Sequence, residues 1–219
     1  MTTERRQMRV GEGTDVTVRQ AHIHAARPAT PGRAAQVLLH WLPLGAGAHF
    51  VAFNGRVYEA LCARRQHRRP APLFHAALSL RLGEASYVIE MGPAWGNTVP
   101  DRGVVVEGPV GLRVLGRSQL FRYEVRAWRG GSIPDLELAV GDPTVMSEDP
   151  VRASRLLELV DEVPSLTWGR DELGLGEMWN SNSIIAWLLL RSGHDLRRVR
   201  PPAGGRAPGW GSGIALAVR

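Results

Sequence analysis

HAALSLRLGEASYVIEM, residues 75–91, carries the clearest strand signal in the chain. Leu78, Leu80 and Leu82 alternate with Ala77, Ser79 and Arg81, the period of two that gives a pleated strand one apolar and one mixed face. Gly83-Glu84 supplies the Gly-X pair of a tight II′ turn, so the run predicts a β-hairpin. Closing it on those two residues pairs 82 with 85, Ala77 with Glu90 and His75 with Gly92. His75 and Glu90 then share a face as diagonal neighbours, about 7 to 8 Å apart at the backbone. A four-residue turn would keep the shared face but move Glu90 away from His75.

Outward from the hairpin, short runs at 103–106, 111–115 and 119–128 are separated by Gly and Pro and predict further strands of an antiparallel meander. On the N-terminal side, VLLHWLPLG (37–45) reads as an edge strand or extended entry because of its proline. Asn54 is then expected to cap a helix running to about residue 67. GAGA at 45–48 lacks the residues of a phosphate-binding loop and reads as a turn. Asp149-Pro150 provides a cap and a first-turn proline for a helix to about Val163, stopped by Pro164. GGRAPGWGSG (204–213) reads as irregular coil.

The chain has 219 residues, 44% hydrophobic and 22% charged, which suits one substantial core. Residues 1–35, polar and without sustained periodicity, read as a flexible tail, leaving 36–219 as a single α+β domain. Inside the tail, His22 and His24 offer two imidazoles but no further ligand at a supporting spacing, so no metal and no cofactor is implied. All 27 basic residues are arginine, against 21 acids, a net charge of +6. They are interspersed rather than pooled, so a nucleic-acid footprint is not expected. The one cluster, Arg64-Arg65-Gln66-His67-Arg68-Arg69, suits a solvated helix end. The single Cys62 excludes an intrachain disulfide and falls among apolar residues at helical spacing. With no apolar run of about 18 residues, the expectation is a cytoplasmic protein without a transmembrane segment.

WNSNSIIAWLLL, residues 179–190, sets four small polar residues before an apolar run that covers every face of a helix, predicting a buried helix over 181–192 stopped by Gly193. Any of Asn180, Ser181, Asn182 and Ser183 can accept from the orphan first-turn amides, a cap worth about 1 kcal/mol. One would suffice, and no Glu or Gln follows to complete a capping box. The surplus raises a second use. A first-turn side chain sits in a field of unpaired N–H groups that stabilises an oxyanion. That field is worth at most about 2 kcal/mol, enough to activate a thiol but not a serine hydroxyl, so Ser181 would need a general base. His75 is the histidine with a definable position for that task. Glu90 would orient it, with Glu124 as a second acid.

This order of strand histidine, strand glutamate and late Asn-Ser-Asn helix resembles the circularly permuted papain-like fold of the NlpC type, where a terminal Asn-Cys box follows the histidine motif. It is also similar to an uncharacterised bacterial family with an Asn-Ser-Asn-Thr-Phe signature, an upstream His and a Tyr-Glu-Val strand. Asn180-Ser181-Asn182-Ser183-Ile184 occupies the signature, His75 the histidine position, and Tyr87-Val88-Ile89-Glu90 or Arg122-Tyr123-Glu124-Val125 the acidic strand. The resemblance implies an antiparallel meander packed against a buried C-terminal helix, with serine where the superfamily nucleophile is cysteine. It further implies amide or ester hydrolysis or acyl transfer by Ser181, His75 and Glu90, with Asn180 or Asn182 cradling the oxyanion. The alternative is a catalytically inactive scaffold that binds a small molecule, peptide or lipid through the loops carrying Trp168, Trp179 and Trp210.

Overall fold

The computed structural model describes residues 35–45, 49–95 and 103–219, with side chains described from Gly55 onward in the second stretch. The expected tail, apart from Ala35, lies outside the described residues, as do His22 and His24.

Six strands, β1 (Ala35–Pro43), β2 (Phe74–Leu82), β3 (Ala85–Pro93), β4 (Val104–Pro109), β5 (Arg122–Arg129) and β6 (Thr144–Ser147), form one antiparallel sheet in the order β4-β5-β3-β2-β1-β6. The hairpin closes on Gly83-Glu84 with Leu82 opposite Ala85, as the turn chemistry requires, and its ladder runs back to Leu78 opposite Ile89. Gly83 takes φ +57°, which a side chain would strain.

Among the described residues four α-helices complete the α+β fold: α1 (His49–Arg65), α2 (Pro150–Leu159), α3 (Ser181–Arg191) and α4 (Trp210–Ala217). Phe74, Ala76, Leu78 and Leu80 of β2, with Ile89 and Met91 of β3, form the main core with Leu156 and Leu159 of α2 and Ile184, Ile185, Leu188 and Leu189 of α3. Alternation sends Leu42, Ala77 and Val88 to the opposite face, where Ile133 joins them in a smaller cluster. That face also carries a buried polar group: Arg126 donates to Glu90 at 2.9 Å and to Glu124.

Several expectations are corrected. β1 is not an edge strand, because β6, which the sequence does not announce, pairs with its outer side at Val37–Leu39. Asn54 lies inside α1 rather than at its start. Residues 113–117 and 119–121 turn as 3-10 segments instead of extending, since their apolar residues find no strand partner and Val114 and Leu120 stay exposed. β5 therefore begins at Arg122 and inserts between β3 and β4, so the sheet is not a simple meander. The glycine-rich C-terminus becomes helical because Gly213 lets α4 approach the Ser183 carbonyl of α3, where a Cβ would collide. None of the described helices is long and apolar enough to cross a membrane.

Candidate functional site

The α3 mouth is built from its own sequence. Asn180, in extended backbone, accepts from the amides of Asn182 at 2.9 Å and Ser183 at 3.3 Å. Ser183 Oγ accepts from the Asn180 N–H at 3.1 Å and donates to the Gly209 carbonyl at 2.8 Å. A hydroxyl thus closes the capping box that was not expected without Glu or Gln. The Ile184 amide goes to the Asn180 carbonyl.

Asn182 does something different. Its Oδ1 accepts from the Ala76 N–H at 2.8 Å, while its Nδ2 donates to the Phe74 carbonyl at 3.0 Å and the Pro208 carbonyl at 2.9 Å. The β2–β3 ladder ends at Leu78 and Ile89, although β3 continues with β5 as far as Pro93 opposite Tyr123. Asn182 therefore serves β2 where β3 no longer pairs with it, and it grips the backbone on both sides of His75. Two segments separated by 106 positions meet here.

Ser181 is left over. Its hydroxyl and its amide make no hydrogen bond among the described residues, whereas the side chains of the other three members of the quartet are all hydrogen-bonded. The residue is 7% exposed, yet the one buried side-chain polar atom without a partner among the described residues is Trp179 Nε1, so Ser181 Oγ touches solvent. The His75 ring likewise has no hydrogen bond among the described residues and is not among their buried orphans. Burial pushes His75 down from its ordinary 6.5 to about 4, leaving a neutral imidazole at physiological pH.

Other predicted contacts are not made. No hydrogen bond joins Ser181 to His75, and the alternation that turns Phe74 and Ala76 into the main core turns His75 to the other side of β2. Glu90 stays on the His75 side of the sheet, as the hairpin register requires, but Arg126 holds its carboxylate. Burial raises Glu90 above the ordinary carboxylate range and the Arg126 charge opposes it; His75 is not among the causes. Glu124 likewise takes Arg126. Both Nδ2 hydrogens of Asn182 are spent on backbone carbonyls, so that side chain has no donor left for a substrate, and Asn180 Nδ2 gives one of its two hydrogens to Pro208 at 2.9 Å.

Sequence reasoning passed over two buried histidines bonded to serines, His40 and His194. His40, buried on β1, lies 2.8 Å from Ser79 Oγ, a diagonal neighbour on β2 that the alternation alone could have placed. His194, just beyond α3, lies 2.8 Å from Ser147 Oγ on β6; nothing in the sequence announced β6, so this pair had no legible signal. The arginine cluster after α1 is partly structural: Arg68 and Arg206 reach the buried Glu59, which also accepts from the Ala71 amide at 2.9 Å. No family model, curated protein or solved structure matches the chain.

Proposed function

We propose that the α3 mouth is an acyl-transfer site on a permuted papain-like scaffold, hydrolysing or transferring an amide or ester with Ser181 as nucleophile and His75 as general base. The observation that supports it is the division of labour in the quartet: Asn180 and Ser183 cap, Asn182 fastens β2, and Ser181 keeps an unbonded, solvent-touching hydroxyl. The oxyanion falls to the Ser181 amide, the first-turn N–H that no other group uses, rather than to the side chains of Asn180 or Asn182. Glu90, expected to orient the imidazole, is held by Arg126, and the dyad is proposed without it.

In this reading the two side chains meet around the end of β2 that β3 leaves unpaired, where Asn182 holds the backbone on either side of His75 next to the first turn of α3. A base held at about 4 is already unprotonated above about pH 5, so the acid limb of the rate falls near pH 4 rather than 6.5. An alkyl fluorophosphonate should label Ser181, and His75→Ala should lower the labelling rate by about a hundredfold or more. Equal labelling of the two proteins removes the mechanism. The competing reading, an inactive scaffold, is favoured by the weak basicity of His75; it expects ligand binding that Ser181→Ala leaves unchanged, with no labelling.

A further inference from the structure

At the other end of α3 the chain returns through Ser192, Gly193 and His194, with Gly193 at φ +84° making the reversal. His194 is 2% exposed. Its Nδ1 lies 3.2 Å from the Leu189 carbonyl and 2.9 Å from Ser192 Oγ, and its Nε2 lies 2.8 Å from Ser147 Oγ. A carbonyl can only accept, so Nδ1 carries the proton. Ser192 gives its own hydroxyl proton to the Leu188 carbonyl at 2.6 Å and is free to accept from Nδ1. The lone pair of the neutral ring is therefore on Nε2, and the Ser147 hydroxyl must be the donor to it. The His40–Ser79 pair lacks this: no described group fixes the tautomer of His40.

We propose that Ser147 and His194 form a second nucleophile–base pair, independent of Ser181, that accepts an acyl group from an ester. The Leu189 carbonyl and Ser192 play the part a carboxylate plays in a triad, holding one ring tautomer. The imidazolium formed as Ser147 loses its proton lies at the carbonyl end of α3, the pole of the helix dipole that favours a cation. Ser147 is partly exposed on β6, the last strand of the sheet, so an acyl group can approach from the sheet edge. The charges of Arg152 and Asp149 act on the ring in opposite directions.

The step balances within the chain. Ser147 Oγ bonds to the acyl carbon and its proton moves to His194 Nε2. The bond to the leaving alcohol breaks, and the alcohol departs with that proton. Water, deprotonated by the same nitrogen, then cleaves the acyl-serine ester and restores the hydroxyl.

The two serines fall on different tryptic peptides, 130–152 for Ser147 and 171–191 for Ser181, so one experiment separates this proposal from the preceding one. The full chain is treated with an alkyl fluorophosphonate and the modified residue is located by tandem mass spectrometry. Modification at Ser147, slowed about a hundredfold or more in His194→Gln, is expected. Absence of label at Ser147, or an unchanged rate in a folded His194→Gln protein, overturns the proposal whatever happens at Ser181. Ser147→Cys keeps the buried histidine and guards against a folding failure. The introduced thiol should react with iodoacetamide at pH 7 at least about tenfold faster than Cys62, because a thiol sharing its proton with an imidazole becomes a thiolate. A rate equal to or below that of Cys62 would sink the assignment.

Discussion

Replacing Asn182 by alanine tests the construction of the α3 mouth. Asn182 is 2% exposed, and its amide stands in for the missing β3 partner of β2. Truncation strands the Ala76 N–H and the Phe74 carbonyl, whereas Pro208 still accepts from Asn180. Each buried orphan costs about 1 to 3 kcal/mol, and releasing the side chain returns up to about 1 kcal/mol of entropy, so the loss should be about 3 kcal/mol. For a domain of this size that is a fall in Tm of about 6 to 12 °C. Ser181→Ala, which deletes a hydroxyl with no hydrogen bond, should stay within about 0.5 kcal/mol of the parent. Urea unfolding followed by tryptophan fluorescence measures both.

Asn182→Asp sharpens the test. One oxygen can still accept from Ala76, but the other then faces the Phe74 and Pro208 carbonyls. Ionisation is disfavoured there, so the folded-state pKa of the new carboxyl is raised. Its stability contribution is full below the unfolded value of about 3.9 and is lost as pH rises through the folded value. Relative to the parent at each pH, Asn182→Asp should be less destabilised at pH 4.5 than at pH 7.5. If Asn182→Ala costs less than about 1 kcal/mol, or Ser181→Ala costs as much, the assignment of structural and spare members of the quartet is refuted.

Acid should destabilise the protein before its carboxylates titrate. His75 is depressed from 6.5 to about 4, so between these values the unfolded chain binds a proton that the native state refuses. Stability falls as pH drops below about 6.5, the loss from His75 alone reaching about 3 kcal/mol below pH 4, and the buried His40 and His194 act in the same direction. His75→Gln should flatten this part of a denaturation-versus-pH curve; an unchanged curve contradicts the burial argument. Ser183→Ala removes both halves of its cap interaction and should cost about 1 to 2 kcal/mol while leaving fluorophosphonate labelling of Ser181 intact. Arg126→Met leaves Glu90 and Glu124 buried without their guanidinium and should cost about 3 to 5 kcal/mol in chemical unfolding, less at pH 4 than at pH 7 because protonation relieves the two acids.

The hairpin was legible because two independent constraints agreed: the period of two across residues 77–82, and a glycine whose positive φ the turn demands. α3 was legible for a similar reason, since an apolar run framed by Asn180 and Gly193 leaves few other ways to satisfy its ends. β6 was not, because Thr144 and Val145 are exposed and its four residues owe their extension to pairing with β1, which no local pattern encodes. α4 was hidden by its glycines, which disfavour an isolated helix but permit the close approach to α3. For the site, the face shared by His75 and Glu90 followed from register alone, while the partner of Glu90 depended on β5 lying beside β3. That choice depends on sheet order, which a strand pattern does not specify.

α3 explains why serine, asparagine and histidine gather where they do. A helix apolar on every face can bury itself only if the donors at one end and the acceptors at the other are met by small polar groups that fit between packed layers. At the first end Asn180 and Ser183 meet that demand; at the second, Ser192 and His194 do so by taking up the Leu188 and Leu189 carbonyls. Polar residues at both ends are therefore required by burial, and their presence alone says nothing about chemistry. What burial does not require is a hydroxyl left unbonded at the donor end, or a serine proton aimed at an imidazole whose other nitrogen is fixed at the acceptor end. Ser181 and Ser147 are those two surpluses. They lie at opposite poles of a helix about 16 Å long, one where the dipole favours a developing anion and the other where it favours the imidazolium.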